Sequence, residues 1–216
     1  MRIQHQVLAL ALFVVASCGQ PRDEGEQLFT EAQRFFEKYA ELFSAPQVME
    51  TLTRARSDGD KAWQVASGLH ALYSYRAGEM SSREAERLRL LSIAWYDHAV
   101  ELGSPYAQLD MCYAESLFRY EESLTPEQVK ELADKAFKTL SAREPKSPPD
   151  ARYLAICYLA GLGVAPDPEM AYTWFERYVQ QLPISEERRQ DELNEFRKDV
   201  DAAKASTDQP ATTPSN

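Results

Sequence analysis

Residues 151–174, ARYLAICYLAGLGVAPDPEMAYTW, have the pattern of two short helices joined by a glycine turn. Apolar residues recur at spacings of three and four on both sides of the turn, which is the spacing of one face of an α-helix. Gly161 and Gly163 lie where the chain must reverse, and Asp167 followed by Pro168 is typical of a capped helix start. The stretch therefore predicts an antiparallel helix pair.

The central motif of this pair occurs three times in the chain. LAICY at 154–158 matches LDMCY at 109–113 and LHALY at 69–73, and each copy precedes a second segment with helical spacing. A helix pair of this size cannot bury its apolar stripe alone, so neighbouring pairs must stack. The copies begin 40 and 45 residues apart, and self-similarity at such a period indicates a helical repeat.

The third copy closely resembles the Sel-one-like repeat, a relative of the tetratricopeptide repeat. It has the small, leucine and tyrosine residues of the first helix, a Gly-x-Gly-Val turn at 161–164, and Trp174 in the second helix. The leucines of the three copies and the tryptophans of the second helices are expected to be buried between the helices. The first copy keeps Gly78 and Trp95 but has a longer turn, and the middle copy lacks the turn glycines and the tryptophan. The resemblance covers residues 60–181 and implies an α-solenoid of about three antiparallel helix pairs that binds proteins or peptides.

The whole chain is expected to be all-α, because no stretch shows sustained alternation with a period of two. Extra N-terminal helices precede the repeats and a capping helix follows them, so that the helical repeat domain spans 25–205. Residues 206–216 are polar, contain two prolines and are expected to be disordered. The expected helices are roughly 25–43, 46–57, 60–76, 82–102, 105–120, 126–141, 148–160, 168–181 and 185–205.

The N-terminus has the pattern of an export signal. Arg2 precedes the apolar run VLALALFVV at 7–15, which is too short to cross a bilayer of ~30 Å. The run ends at Val15, and two small residues at 16–17 then precede Cys18. Residues 15–18 resemble the bacterial lipobox. The resemblance implies a signal peptide at 1–17, a lipid on Cys18 and a short tether at 18–24, whereas the alternative is an ordinary secretory signal.

The charge balance bears on localisation and partners. The chain carries 24 Lys and Arg against 34 Asp and Glu, a net charge of −10. This argues against nucleic acid and against direct adhesion to anionic lipids, so membrane contact is expected through the lipid anchor only. Gly19 follows the cysteine where an aspartate would suggest inner-membrane retention, which implies a bacterial outer-membrane protein that faces the periplasm.

No catalytic, cofactor or metal site is predicted. The three histidines form no recognisable motif, and no hydrolase or phosphate-loop signature lies at a strand–helix junction. Cys112 and Cys157 occupy the same position of successive repeats. We expect them to be small buried apolar residues because stacked helices lie 8–10 Å apart, and a disulfide is the alternative.

Two classes of function remain open. The preferred class is a non-enzymatic scaffold that holds an unidentified envelope protein or peptide, and the alternative is an envelope enzyme or small-ligand binder that uses cleft carboxylates, for example on the cell wall. In related repeats the first helices line the concave side, so one stripe of residues along the first helices is the candidate binding surface. The alternative is that this stripe only spaces stacked helices. The candidate partner surface is Ser67, His70, Ser74, Ala107, Asp110, Ala114, Arg152, Ala155 and Leu159.

The Cys18→Ala substitution tests the anchor. It is expected to release the protein from membranes or to leave it unprocessed, because the sulfur that accepts the lipid is absent. Membrane fractionation and labelling with a fatty-acid probe measure both effects. Continued labelling of the variant would contradict the assignment.

Overall fold

The computed structural model describes residues 24–42, 45–113, 124–144 and 146–207. All regular secondary structure in these residues is helical, which confirms the all-α prediction. The expected signal peptide, Cys18, nearly all of the tether and residues 208–216 of the expected tail lie outside the described residues. The α-helices are α1 Glu24–Lys38, α2 Ala45–Arg54, α3 Gly59–Arg76, α4 Ser82–Glu101, α5 Pro105–Tyr113, α6 Pro126–Ala142, α7 Pro148–Ala160, α8 Pro168–Gln180 and α9 Glu186–Thr207.

The first two helices are shorter than the sequence pattern predicts. After α1 the chain tightens into the 3₁₀ turn Ala40–Leu42, in which the Leu42 N–H bonds the Tyr39 carbonyl at 3.0 Å. α2 ends at Arg54 because the next residues turn toward Asp58, whose carboxylate caps α3 by accepting the N–H groups of residues 60 and 61. At the other end of the chain, α9 extends two residues beyond its expected end.

Side-chain caps fix most of the remaining helix starts. The Thr-Pro-Glu-Gln sequence at 125–128 predicts a capping box, and Thr125 and Gln128 form it at the start of α6 with hydrogen bonds of 3.2 and 2.9 Å. The Ser-x-x-Glu spacing at 81–84 also predicts a capping box, but only half of it forms. The Ser81 hydroxyl accepts the Glu84 N–H, but the Glu84 carboxylate pairs with Lys38 of α1 instead of returning to the cap.

The chain divides into two compact units, one up to Leu102 and one from Gly103. In the first unit, α3 and α4 pack along their lengths as an antiparallel pair, and α1 contacts α2, α3 and α4. Leu69 and Trp95 are buried at the centre of this unit, as expected from the repeat pattern. Gly68 lets α1 approach α3, because a Cβ at that position would lie 3.3 Å from the ring of Phe36.

The second unit contains two helix pairs and a terminal helix. α5 packs against α6, α7 packs against α8, and α9 packs against α8. Leu109 and Leu154 are buried in their first helices as predicted. The ring of Phe196 in α9 stacks on Phe175 at 3.9 Å, and thereby α9 covers the apolar residues of α7 and α8. Trp174, which the pattern places in the core, is only half-buried.

The turn between α7 and α8 needs both of its glycines. Gly161 ends α7 in a left-handed conformation with φ of 72°, and the next N–H bonds the Cys157 carbonyl at 3.0 Å, the 6→1 bond of a Schellman motif. Gly163 has φ of 71° and lies against α6. A Cβ there would be 2.4 Å from the Ala133 carbonyl oxygen, a separation that no side chain tolerates.

Within the described part of the chain, none of the helices combines the length and the apolar character that a bilayer span requires.

Gly163→Ala is expected to lower the free energy of unfolding by about 2–5 kcal/mol, because it adds a left-handed backbone penalty to a steric clash with α6. Gly78→Ala is the matched control. Gly78 has an ordinary φ and open space around its Cα, so this change should be neutral or stabilising by up to about 1 kcal/mol. Urea denaturation measures both variants, and equal losses would contradict the role given to the turn.

Candidate functional site

Three residues of the candidate partner surface share one face of α3 in the first unit. Ser74 is exposed, while Ser67 and His70 are half-buried. The Ser74 hydroxyl lies 3.5 Å from His70 Nε2, and the Ser67 hydroxyl lies 3.2 Å from the Tyr96 hydroxyl of α4. This face therefore presents small polar groups, with its inner edge tied to α4.

The second unit contradicts part of the candidate surface. Ala107 and Ala155 are fully buried, so neither can contact a partner. Ala155 packs in the apolar cluster that α9 completes, and Leu159 packs partly against the same cluster. The small residues at these positions serve contact between helices. The predicted Ala114 lies outside the described residues.

Asp110 and Arg152 remain accessible in the second unit. Arg152 is exposed on α7, and Asp110 is half-buried on α5. Asp110 Oδ1 accepts the Tyr153 hydroxyl at 2.6 Å, so its carboxylate also holds α5 against α7. Among the predicted residues of this unit that the structure describes, Arg152 is the one in the exposed class.

A buried polar cluster, which the sequence analysis missed, joins the starts of α5 and α7 to the end of α6. It consists of Tyr106, Arg143, Ser147 and Asp150, and only 3% of Asp150 is exposed. The Tyr106 hydroxyl donates to Asp150 Oδ1 at 2.8 Å, and Arg143 Nη1 donates to the same oxygen at 3.2 Å. The hydroxyl and N–H of Ser147 donate to Oδ2 at 2.6 and 2.8 Å.

These contacts keep Asp150 ionised. Burial opposes ionisation, but the hydrogen bonds from Ser147 and Tyr106 and the positive charge of Arg143 outweigh it, so the pKa of Asp150 lies below its ordinary value. Burial, together with the neighbouring carboxylate, raises the pKa of Tyr106 to about 12. A carboxylate with four donors and a lowered pKa stabilises the fold and is poorly suited to donate a proton.

The Ser-x-x-Asp spacing at 147–150 was the signal available in the sequence for this cluster. It predicts a capping box, and both of its hydrogen bonds are present at the start of α7. The contributions of Tyr106 and Arg143 could not be found in the same way, because each lies on a different helix and reaches the carboxylate only after the helices pack.

An open groove of about 510 Å³ lies between α6 and the turn that joins α7 to α8. Val129 and Ala133 line it on one side, and Leu162 and Val164 line it on the other. Lys130 and Asp134 pair with each other at 2.6 Å along α6. The groove follows from the close approach of Gly163 to α6.

Cys112 and Cys157 are both free thiols, and Cys157 is buried. Within the ranges that the structure describes, no three side chains of His, Cys, Asp or Glu come together in a way that could hold a metal ion.

Comparison with known proteins gave no match: no protein-family model, no curated protein and no solved structure matches the chain.

Asp150→Asn is expected to lower the free energy of unfolding by about 2–4 kcal/mol at pH 7, because it removes the negative charge beside Arg143 and replaces one acceptor oxygen with an NH₂ group that faces other donors. Asp134→Asn is the control. It removes a carboxylate of an exposed ion pair and should change stability by less than about 1 kcal/mol. Urea denaturation measures both variants, and equal effects would contradict the structural role of the cluster.

The loss of stability caused by Asp150→Asn is expected to depend on pH. The pKa of Asp150 is lower in the folded state than in the unfolded state. The contribution of its carboxylate to the free energy of unfolding is therefore fully present above the unfolded pKa of about 4, and it is lost as the pH falls through the pKa of the folded state. The difference in stability between the wild type and Asp150→Asn should therefore shrink below about pH 4. A difference that stays constant down to pH 2 would contradict the ionised state described here.

Proposed function

We propose that the protein is a lipid-anchored helical-repeat scaffold that holds a protein or peptide partner in the bacterial cell envelope. The observation that carries this proposal is the packing of α5 beside α7, the first helices of two successive pairs. The rings of Tyr106 and Tyr153 lie 5.1 Å apart, and the Tyr153 hydroxyl bonds Asp110. Side-by-side first helices are the arrangement by which helical repeats stack and create extended binding surfaces.

The anchor follows from the N-terminal sequence. A short apolar run that ends in small residues before Cys18 supports lipidation there, and Gly19 supports delivery to the outer membrane with the helical domain in the periplasm. Several acyl chains at ~0.8 kcal/mol per buried CH₂ would hold the protein firmly at the membrane.

The partner surface of the second unit centres on Arg152, with Asp110 at its inner edge. In the first unit the corresponding face of α3 offers Ser74 and His70. Small and polar side chains leave room for a partner backbone and supply hydrogen bonds, which suits an extended peptide or a helix better than a compact charged ligand.

The enzymatic alternative requires a carboxyl group with a raised pKa that faces a second carboxylate across a cleft. Asp150 has the opposite properties, because donors surround both of its oxygens and its pKa is lowered. Asp150 is therefore not the carboxyl group that this alternative needs.

Site-specific photo-crosslinking in intact cells tests the proposal. A benzoylphenylalanine at position 152 is expected to give a discrete adduct. The control position is Lys138, which is exposed on α6 of the same unit and lies outside the proposed surface. Equal adducts at 138 and 152, or no adduct at 152, would contradict the proposed surface.

Charge reversal then measures the contribution of Arg152. Arg152→Glu should lower recovery of the crosslinked partner by about fivefold or more, as loss of a 1 kcal/mol contact does, while Lys138→Glu leaves it unchanged. Asp110 is unsuitable for reversal, because its carboxylate accepts the Tyr153 hydroxyl and its loss would disturb the packing of α5 and α7. Circular dichroism confirms that both variants are folded, and unchanged recovery with Arg152→Glu would contradict the assignment.

A further inference from the structure

The end of α9 lies beside the start of α8. Lys204 Nζ pairs with Glu169 Oε1 at 2.5 Å, and two turns earlier on α9 the Cζ atom of Arg197 lies 4.4 Å from the centre of the Tyr172 ring. Residue numbers therefore rise along α9 as they fall along α8, so the two helices are antiparallel. Thr207, the last residue of α9, is thus close to the turn from which α8 begins.

The same turn forms one side of the 510 Å³ groove. Val164, at the edge of the groove, precedes Pro168 of α8 by four residues, which span at most about 14 Å of chain. Residues 208–216, the tail segment, follow Thr207 directly and reach about 30 Å when extended. The tail segment is therefore long enough to reach the groove from the end of α9 and to lie along it.

The groove and the tail segment match in charge and in polarity. Among the described residues that line the groove, only Lys130 and Asp134 are charged, and they pair with each other, so the lining carries no net charge. Residues 209–216, QPATTPSN, are eight successive uncharged residues in a chain of which 27% is charged. They combine two prolines and an alanine with hydroxyl and amide side chains, as the groove combines apolar side chains with an ion pair.

We infer that the tail segment occupies this groove in an extended conformation, with Pro210 and Pro214 against the apolar side chains of α6 and the turn. The volume of the groove is in the range of small-ligand sites, about 300–1,000 Å³, so it takes a few residues of an extended chain. Proline already favours the polyproline II form, which lowers the entropy lost on docking. Attachment to α9 gives the segment an effective concentration of about 1 mM, so even a contact of millimolar affinity fills the groove half of the time.

Photo-crosslinking tests this occupancy. Benzoylphenylalanine replaces Ala211 in the full chain, and the irradiated protein is digested and analysed by mass spectrometry. The expected product links the peptide that contains position 211 to a peptide from 126–134 or 161–164 of the same chain. A mixture with isotopically heavy chains distinguishes a link within one chain from a link between two. Benzoylphenylalanine at Ala202, which is exposed on α9, is the matched control and should not label the groove.

Val164→Glu measures the contribution of the groove itself. A carboxylate at the groove edge should lower the adduct yield from position 211 by about fivefold or more, because docking would bury it. Leu182→Glu is the control, since Leu182 is equally half-buried in a turn between helices but does not line the groove. Circular dichroism shows that both variants are folded. Equal yields in the two variants, or adducts absent from the groove, overturn the inference. A link between two chains also overturns it, because a second copy would then be the occupant.

Hydrogen exchange gives a readout that does not depend on the bulky probe. Amide exchange is compared between the full chain and a chain that stops at Thr207, with peptides of α3 as the internal reference. Because the docked segment covers the turn, exchange of residues 161–167 should be about twofold or more slower in the full chain. Equal exchange rates in the two chains overturn the inference, whatever adducts the probe at position 211 gives.

Discussion

The second unit depends on the close approach of Gly163 to the backbone of α6. Only a residue without Cβ can lie against the Ala133 carbonyl and adopt a positive φ at the same time. This contact places the turn, and the turn places α8: the Asp167 N–H bonds the Tyr158 carbonyl at 2.8 Å, while the Asp167 carboxylate caps the new helix. The direction in which α8 leaves the turn then determines where α9 can stack.

The buried polar cluster complements this steric contact by fixing the angle at which three segments meet. Apolar surfaces tolerate small shifts, but the hydrogen bonds of Asp150 require Tyr106, Arg143 and Ser147 at defined distances and orientations. Removing one partner leaves a buried charge or donor unsatisfied. The free-energy cost of separating these segments therefore arises mainly at the Asp150 cluster. The unit thus combines a steric constraint at its glycine turn with an electrostatic constraint at the starts of α5 and α7.

Local signals predicted most of the helices, because caps and apolar spacing act within one turn of the chain. The Thr125 capping box, the left-handed Gly161 and the buried Leu109 all follow from neighbours in sequence. The predictions that failed concern contacts between residues that are far apart in the sequence. Glu84 leaves its predicted capping box for Lys38 of another helix, and Asp150 gains two of its donors from other elements. Neither partner can be identified before the helices are packed.

The buried alanines show why the candidate surface was only partly predictable. A small side chain at a regular position allows two helices to approach, and it equally allows a partner backbone to approach; sequence spacing does not distinguish the two cases. Burial does distinguish them, and it assigns Ala107 and Ala155 to packing. A charged side chain carries more information, because burying the guanidinium of Arg152 in a helix contact without a partner would cost several kcal/mol. The exposed Arg152 is therefore the better guide to a binding face, and the alanines beside it explain how that face is held in place.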